Sequence, residues 1–587
     1  MVIKPKYLAA SAVGKINLVK GNPVDYSRRR FVQGVAAGSG LLATGLGASV
    51  LAASNGVPQQ PVLSGNQFKL SYGYKKVNFT GKNRIATAIN GSVPAPILRW
   101  KQGERVTLDV TNNLATDSSI HWHGLILPSG MDGVPNISEN FSGIKPGETF
   151  RYQFDVNQSG TFWYHSHSGF QEQTGAYGAI IIDPAEPPPY SYDREHVIVL
   201  SDWSDEDPED IYAKLKKMSH IYQTRERTTG DLWSEIQSKG LSQTWNDRKM
   251  WNEERMSDRD LSDVTGRTYS FLMNGQTPAD NWTGMFNKGE RVLLRIINAS
   301  AMTFFDLRIP GLKMTVVAAD GQNVEPISVD EFRIGVAETY DILVEPRDDA
   351  AYAIFAQAID RSGYAIGRLT AQPSLQAEIP PLDAYPVLTH GDMGMGGMGD
   401  MDHSNMSAEM MAMMGGGIKH AETEYGPHID MRAENPQYRL DDPGVGLRNN
   451  GRKVLTYADL RNLYPTPDPR DPEREIELHL TGNMRRYMWS MNGVKFADAE
   501  PLMMKLGERL RITLVNDTMM NHPMHLHGVW SDLETGDDGF IPRKHTVIVQ
   551  PGSKISYRVT ADAPGPWAYH CHLIYHMPAM FRKVVIS

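Results

Sequence analysis

The sequence predicts an all-β protein of three β-sandwich domains of one design, carried by a chain of 587 residues. The length exceeds what one hydrophobic core usually serves. Within it a pattern occurs three times: Asn-Gly, then a Gly-Glu-Arg opening, then Asn nine residues after that glycine. The copies are Asn90-Gly91, Gly103-Glu104-Arg105 and Asn112; Asn274-Gly275, Gly289-Glu290-Arg291 and Asn298; Asn492-Gly493, Gly507-Glu508-Arg509 and Asn516. Between the last two anchors, runs such as Arg105–Val110 and Arg509–Val515 alternate apolar and polar residues with the period of half-buried strands. The predicted domains are residues 54–186, 187–375 and 451–587.

Two segments depart from the pattern. Residues 205–262 are polar and charged, with Ile211, Leu215 and Met218 at helical spacing after Pro208, which predicts a helical insertion in domain 2. Residues 376–450, rich in Pro, Gly and Met, predict a mobile linker before domain 3. At the other end, Ser27-Arg28-Arg29-Arg30-Phe31 precedes a charge-free Gly/Ala/Leu stretch, and residues 1–53 are predicted to be a twin-arginine signal peptide for export to the periplasm. Beyond it no apolar run approaches the ~20 residues of a membrane span. The net charge of -9 leaves no basic footprint for nucleic acid.

The chain has one cysteine, Cys571, so no disulfide forms within it, whereas methionine is abundant at 29. Four histidine motifs stand in two clusters. Domain 1 holds His121-Trp-His123 and His165-Ser-His167; domain 3 holds His522-Pro-Met-His525-Leu-His527 and His570-Cys571-His572. Domain 2 has Phe305-Asp306-Leu307 at the matching place, so it reads as a spacer, and the shared site belongs where domains 1 and 3 meet. Residues two apart on a strand face one side, so each His-x-His pair presents two imidazoles together. By the same alternation Cys571 points away from His570 and His572, and His522 lies an odd number of residues from His525 and His527. Cys571, His522 and His576 with a weak axial thioether make a blue-copper ligand set. Zinc does not suit so many imidazoles with one thiolate, and a non-haem iron triad would lack its carboxylate.

All four motifs, in order, resemble those of the multicopper oxidases, with the leader, three-domain plan and Met-rich linker most similar to the periplasmic copper-resistance protein A group. The resemblance covers essentially the whole mature chain and implies three cupredoxin-like Greek-key domains, laccase-like in plan. It implies four copper ions: type 2 on His121 and His525; type 3 on His123, His165 and His572 and on His167, His527 and His570; type 1 on Cys571, His522 and His576. It further implies that a reductant gives electrons singly to type 1 copper and that the cluster reduces O2 to water. Asp132 matches a proton-relay carboxylate of the family, while its other role is a polar turn beside Gly133.

The family's axial methionine usually stands ten residues after the cysteine. Here Met580 stands nine after it, and Met577 is the alternative. Met577 also occupies the place where many relatives carry a second relay carboxylate. For the substrate, Asp517, Met519 and Met520 precede His522 and would suit Cu(I), as would the run Met393, Met395, Met398, Met401, His403 and Met406. The expected function is Cu(I) oxidation in copper resistance, with periplasmic copper carriers as partners. The alternatives are a laccase-like oxidase of phenols or other small organic reductants, and a copper-sequestering protein.

Overall fold

The computed structural model describes residues 60–587 apart from 254–255 and 395–417, so the leader and Met395, Met398, Met401, His403 and Met406 lie outside the described residues. Each repeat builds one two-sheet sandwich. The first pairs a five-stranded sheet ending in Gly160–His165 and His121–His123 with a four-stranded sheet containing Gln67–Val77 and Arg105–Asn112. The second pairs sheets of six and five strands between Arg194 and Thr370. The third pairs a seven-stranded sheet with a five-stranded one, in which Gly565–Cys571 lies beside His522–Leu526. The same non-consecutive pairing occurs in all three: the strand that lies one ahead of the strand leading into the Asn-Gly turn runs parallel to the repeat strand, with Tyr72 opposite Asn112, Leu200 opposite Asn298 and Leu480 opposite Asn516.

The repeated residues have backbone reasons. Each Asn-Gly places both residues at positive φ, 51° and 66° at Asn90-Gly91, 51° and 69° at Asn274-Gly275, and 50° and 70° at Asn492-Gly493. That is the tight hairpin turn whose twist suits flanking strands, and Asn and Gly tolerate it. The closing asparagines are fully buried and staple a chain corner. Asn298 donates to the carbonyls of Thr303 (2.9 Å) and Ile334 (3.1 Å) and accepts from the Ser300 amide. Asn112 and Asn516 do the same to Thr116 and Ile144, and to Met520 and Val549.

Alternation follows from which faces are covered. Along Arg105–Asn112 every second residue is buried, whereas all of Val292–Asn298 is buried because the domain 1 strand Gly160–His165 packs on its outer face. There Arg295 donates to Thr161 (3.0 Å) across the boundary.

Three helices, Pro208–Lys217, Thr229–Lys239 and Leu241–Glu253, fall between the first two strands of domain 2. Asp207 caps the first, and Ile211 and Leu215 bury its inner face. Met218 ends that helix, exposed. The stretch 376–450 has few regular elements, but its described parts are not a free spacer. Leu388, Met393, Met431 and Val445 are buried, Val445 accepts from Arg333 of domain 2, and the Ala433 amide donates to Asp517 of domain 3 at 2.7 Å. Apolar residues spaced without a period still find core positions when two sandwiches offer a cleft, and periodicity alone does not reveal this.

Asn298, which holds no place in the histidine motifs, offers a stability test. Asn298→Ala leaves two carbonyls and one amide buried without partners and should cost roughly 2–3 kcal/mol. Calorimetry should show a lower first unfolding transition; an unchanged thermogram would remove the corner from the fold's determinants.

Candidate metal centre

Strand pairing sets the first half of the centre in each domain. In domain 1, His121 lies opposite His165 across an antiparallel pair; in domain 3, His525 lies opposite His570. Docking of the two sandwiches then brings the halves together. His121 Nε2 and His525 Nε2 are 3.4 Å apart, and His570 Nε2 is 3.3 Å from that of His167 and 3.0 Å from that of His527. His123 stacks on His525 and His121 on His527, with ring centroids 3.8 and 4.0 Å apart. His123, His165 and His572 form a second group, with centroids 5.0–5.7 Å apart.

Five of the rings are arranged so that Nδ1 is anchored and Nε2 faces the cluster. Nδ1 donates to the Asp132 carbonyl from His121 (3.0 Å), to the Asp132 carboxylate from His527 (2.9 Å), and to the Ser166 carbonyl from His165 (3.1 Å), with Glu172 Oε2 2.8 Å from the same atom. It donates to the His545 carbonyl from His525 (2.6 Å) and to the Cys571 carbonyl from His570 (3.0 Å). These anchors leave Nε2 with its lone pair inward. His123 is turned the other way: Nε2 reaches Thr546 Oγ1 (3.1 Å), and Nδ1 is buried without a partner. His165 Nε2 and both nitrogens of His572 are also buried without partners.

Burial first, and the neighbouring imidazoles second, hold His123, His165, His167, His525, His527 and His572 well below the usual histidine range. Burial brings His570 down to about 3. The rings are therefore neutral donors, and orphaned inward nitrogens at this density fit transition-metal ions. Groups of three ligand-type residues converge here, among them His121, His123 and His165, and His522, Cys571 and His576.

That last group stands behind the cluster. Cys571 Sγ is 3.5 Å from His522 Nδ1 and 3.9 Å from His576 Nδ1, while its neighbours in sequence face the other way. His522 Nε2 donates to Thr518 Oγ1 (2.7 Å) and His576 Nε2 to Asp263 (2.6 Å), leaving both Nδ1 atoms free. Burial pushes the Cys571 thiol up, so a thiolate here requires a cation beside it. Both imidazoles are fully buried, and Trp489 stacks on His576 at 3.8 Å. Met580 is fully buried and its carbonyl accepts from the Cys571 amide (3.1 Å); Met577 is half-buried. Met519 and Met520 are buried, as are Asp517 and Met393.

Three residues at the centre escaped the sequence reading. His545 comes within 3.2 Å of His123 Nε2, its backbone amide donates to Asp320, and burial lowers it to about 4. Glu172 holds His165, and burial raises its carboxyl well above the usual range. Asp263, brought by the end of the helical segment, holds His576. None stands in a His-x-His motif; the one sequence cue was Glu172, close behind His167.

Multicopper oxidase family models match residues 71–187, 239–373 and 469–587. Copper resistance protein A of Escherichia coli is 54% identical over 96% of this chain and 99% of its own. Multicopper oxidase MmcO of Mycobacterium tuberculosis is 31% identical over 84% of this chain and 82% of its own. Among solved structures, Fet3p, a multicopper oxidase that functions in iron import, aligns with a TM-score of 0.63 at 20% identity, covering 89% of this chain and 91% of that one. The chain belongs to the multicopper oxidase family and is a copper-dependent oxidoreductase.

Proposed function

We propose that this protein is a cuprous oxidase of copper resistance, exported to the periplasm by its twin-arginine leader, that couples oxidation of Cu(I) to reduction of O2 to water. His121 and His525 would hold the type 2 ion, and His123, His165 and His572 one type 3 ion. His167, His527 and His570 would hold the other. Cys571, His522, His576 and axial Met580 would hold the type 1 ion. Copper so bound supplies one-electron redox chemistry and, at the shared cluster, the reduction of O2.

The chain's own groups do the rest. Asp132 contacts His121 and His527, one from each domain, so it fixes both rings and stands where protons are needed. Cys571 joins the two sites through its peptide neighbours His570 and His572.

Burial of the Cys571 site carries the substrate reading. With His522 and His576 fully covered, a bulky phenol has no direct contact with either imidazole, whereas buried carboxylates stand close to the same rings. Asp263 touches His576, and Asp517 precedes Thr518, which touches His522. Anionic groups around a buried electron acceptor favour a cationic reductant. The identity to copper resistance protein A of Escherichia coli supports the same reading, and periplasmic copper carriers are the fitting partners.

Cys571→Ser should abolish the blue absorption and turnover while leaving the circular dichroism of the fold unchanged; a blue, active variant would refute the ligand assignment. Asp132→Asn should retain about four coppers per chain yet slow O2 uptake on the order of 100-fold. Copper loss in that variant would make Asp132 purely structural. Met519→Leu/Met520→Leu should slow oxidation of Cu(I) even at saturation, because Leu keeps the packing and removes the sulfur. Deleting 393–414 should raise the KM for Cu(I). If O2 uptake with a phenol falls equally in both, the methionines have no substrate role.

A further inference from the structure

Beyond the residues that would hold the four coppers, a second set of ligand-type side chains converges. His479 comes from strand Arg474–Asn483, Asp517 from just beyond strand Arg509–Asn516, and His420 and Glu424 from around the short turn Glu422–Glu424. All the contacts use the same four atoms. His420 Nδ1 lies 2.8 Å from Glu424 Oε2 and 3.6 Å from Asp517 Oδ2. His479 Nδ1 lies 3.3 Å from Glu424 Oε2 and 2.6 Å from Asp517 Oδ2.

Each Nδ1 has at most one proton to offer to two oxygens, and two carboxylates this close repel unless positive charge stands between them. Their side chains are almost wholly buried, His420 being the most exposed at 9%. Burial would lower His479, yet its hydrogen bond to Asp517 and the charges of Asp517 and Glu424 raise it to about 9, so a metal ion entering here takes the place of the Nδ1 proton, which is released. The outer atoms are anchored as those of metal ligands are: Asp517 Oδ1 accepts from the Ala433 amide (2.7 Å), and His479 Nε2 donates to Glu477 (3.3 Å).

We propose that His420, Glu424, His479 and Asp517 form a further metal site, taking one divalent ion of the Cu(II) or Zn(II) class. Two imidazoles and two carboxylates suit those ions, whereas Cu(I) prefers sulfur. The site lies close to the Cys571 group, because Asp517 is bonded to Thr518, whose Oγ1 accepts from His522 Nε2. A Cu(I) ion that gives up its electron to the Cys571 site becomes Cu(II), the form these donors hold. Four such electrons and four protons convert one O2 to two waters. This role rests on the cuprous reading; the site itself rests on the four converging atoms.

Zn2+ is the probe, having the same donor preference and no redox chemistry. Titrated into the copper-loaded full chain, it should bind with one added equivalent. His420→Ala/Glu424→Gln should weaken that binding about 100-fold while the bound copper is retained. In the unaltered protein, saturating Zn2+ should slow O2 uptake with Cu(I) about tenfold and leave uptake with a phenol within about twofold. No added equivalent, or one of equal affinity in the double variant, overturns the site. Equal inhibition with Cu(I) and phenol overturns its part in cuprous oxidation. Zn2+ binding that responds to the variant, in a protein that takes up no O2 with Cu(I), supports the site and sinks the cuprous reading.

Discussion

The need to hold a cluster of buried imidazoles with their lone pairs turned inward, at a seam between two domains, governs the rest of this structure. A protonated ring would repel both its neighbours and any cation, so the seam has to be dry. Burial supplies that dryness, and each ring added to the seam lowers the proton affinity of the others. A dry seam in turn needs anchors for the outward nitrogens. Backbone carbonyls of Asp132, Ser166, His545 and Cys571 serve four of them, and the carboxylate of Asp132 serves a fifth. Docking domain 3 on domain 1 therefore aligns rings and anchors in one step, since His121 and His527 share Asp132 although they come from different domains.

Domain 2 carries none of these ligands but sets where the halves meet. Its repeat strand is covered on both faces, and Asp320, in domain 2, accepts from the amides of His545 and Thr546, the latter residue reaching His123. It also supplies Asp263 to His576. A copy of the repeat that lost its histidines thus still contributes to both metal-binding groups, through second contacts rather than ligands.

Strand alternation explains how two sites of different chemistry share one β-strand. His570 and His572 face the seam, and Cys571 faces the interior of domain 3, where Trp489, His522 and Met580 enclose it. The softer ligand set is thereby kept from the imidazole cluster by a single peptide on either side. Full burial of His522 and His576 has a further consequence: their outward nitrogens meet Thr518 and Asp263, themselves buried, so the residues that tune the site are polar neighbours of the ligands.

By itself the sequence determined the threefold sandwich plan, because Asn-Gly turns and corner asparagines are local backbone requirements that recur wherever the fold does. It also determined which histidines pair and which side Cys571 takes, since a period of two is a property of the strand alone. What only the tertiary structure decided was which partners complete those pairs. Glu172, Asp263 and His545 carry no periodic signature, and His420 and Glu424 sit in a stretch whose composition suggests a linker. Each acquires its role by lying against a residue far away in sequence, and the register of such contacts is fixed by the packing of sheets rather than by spacing along the chain.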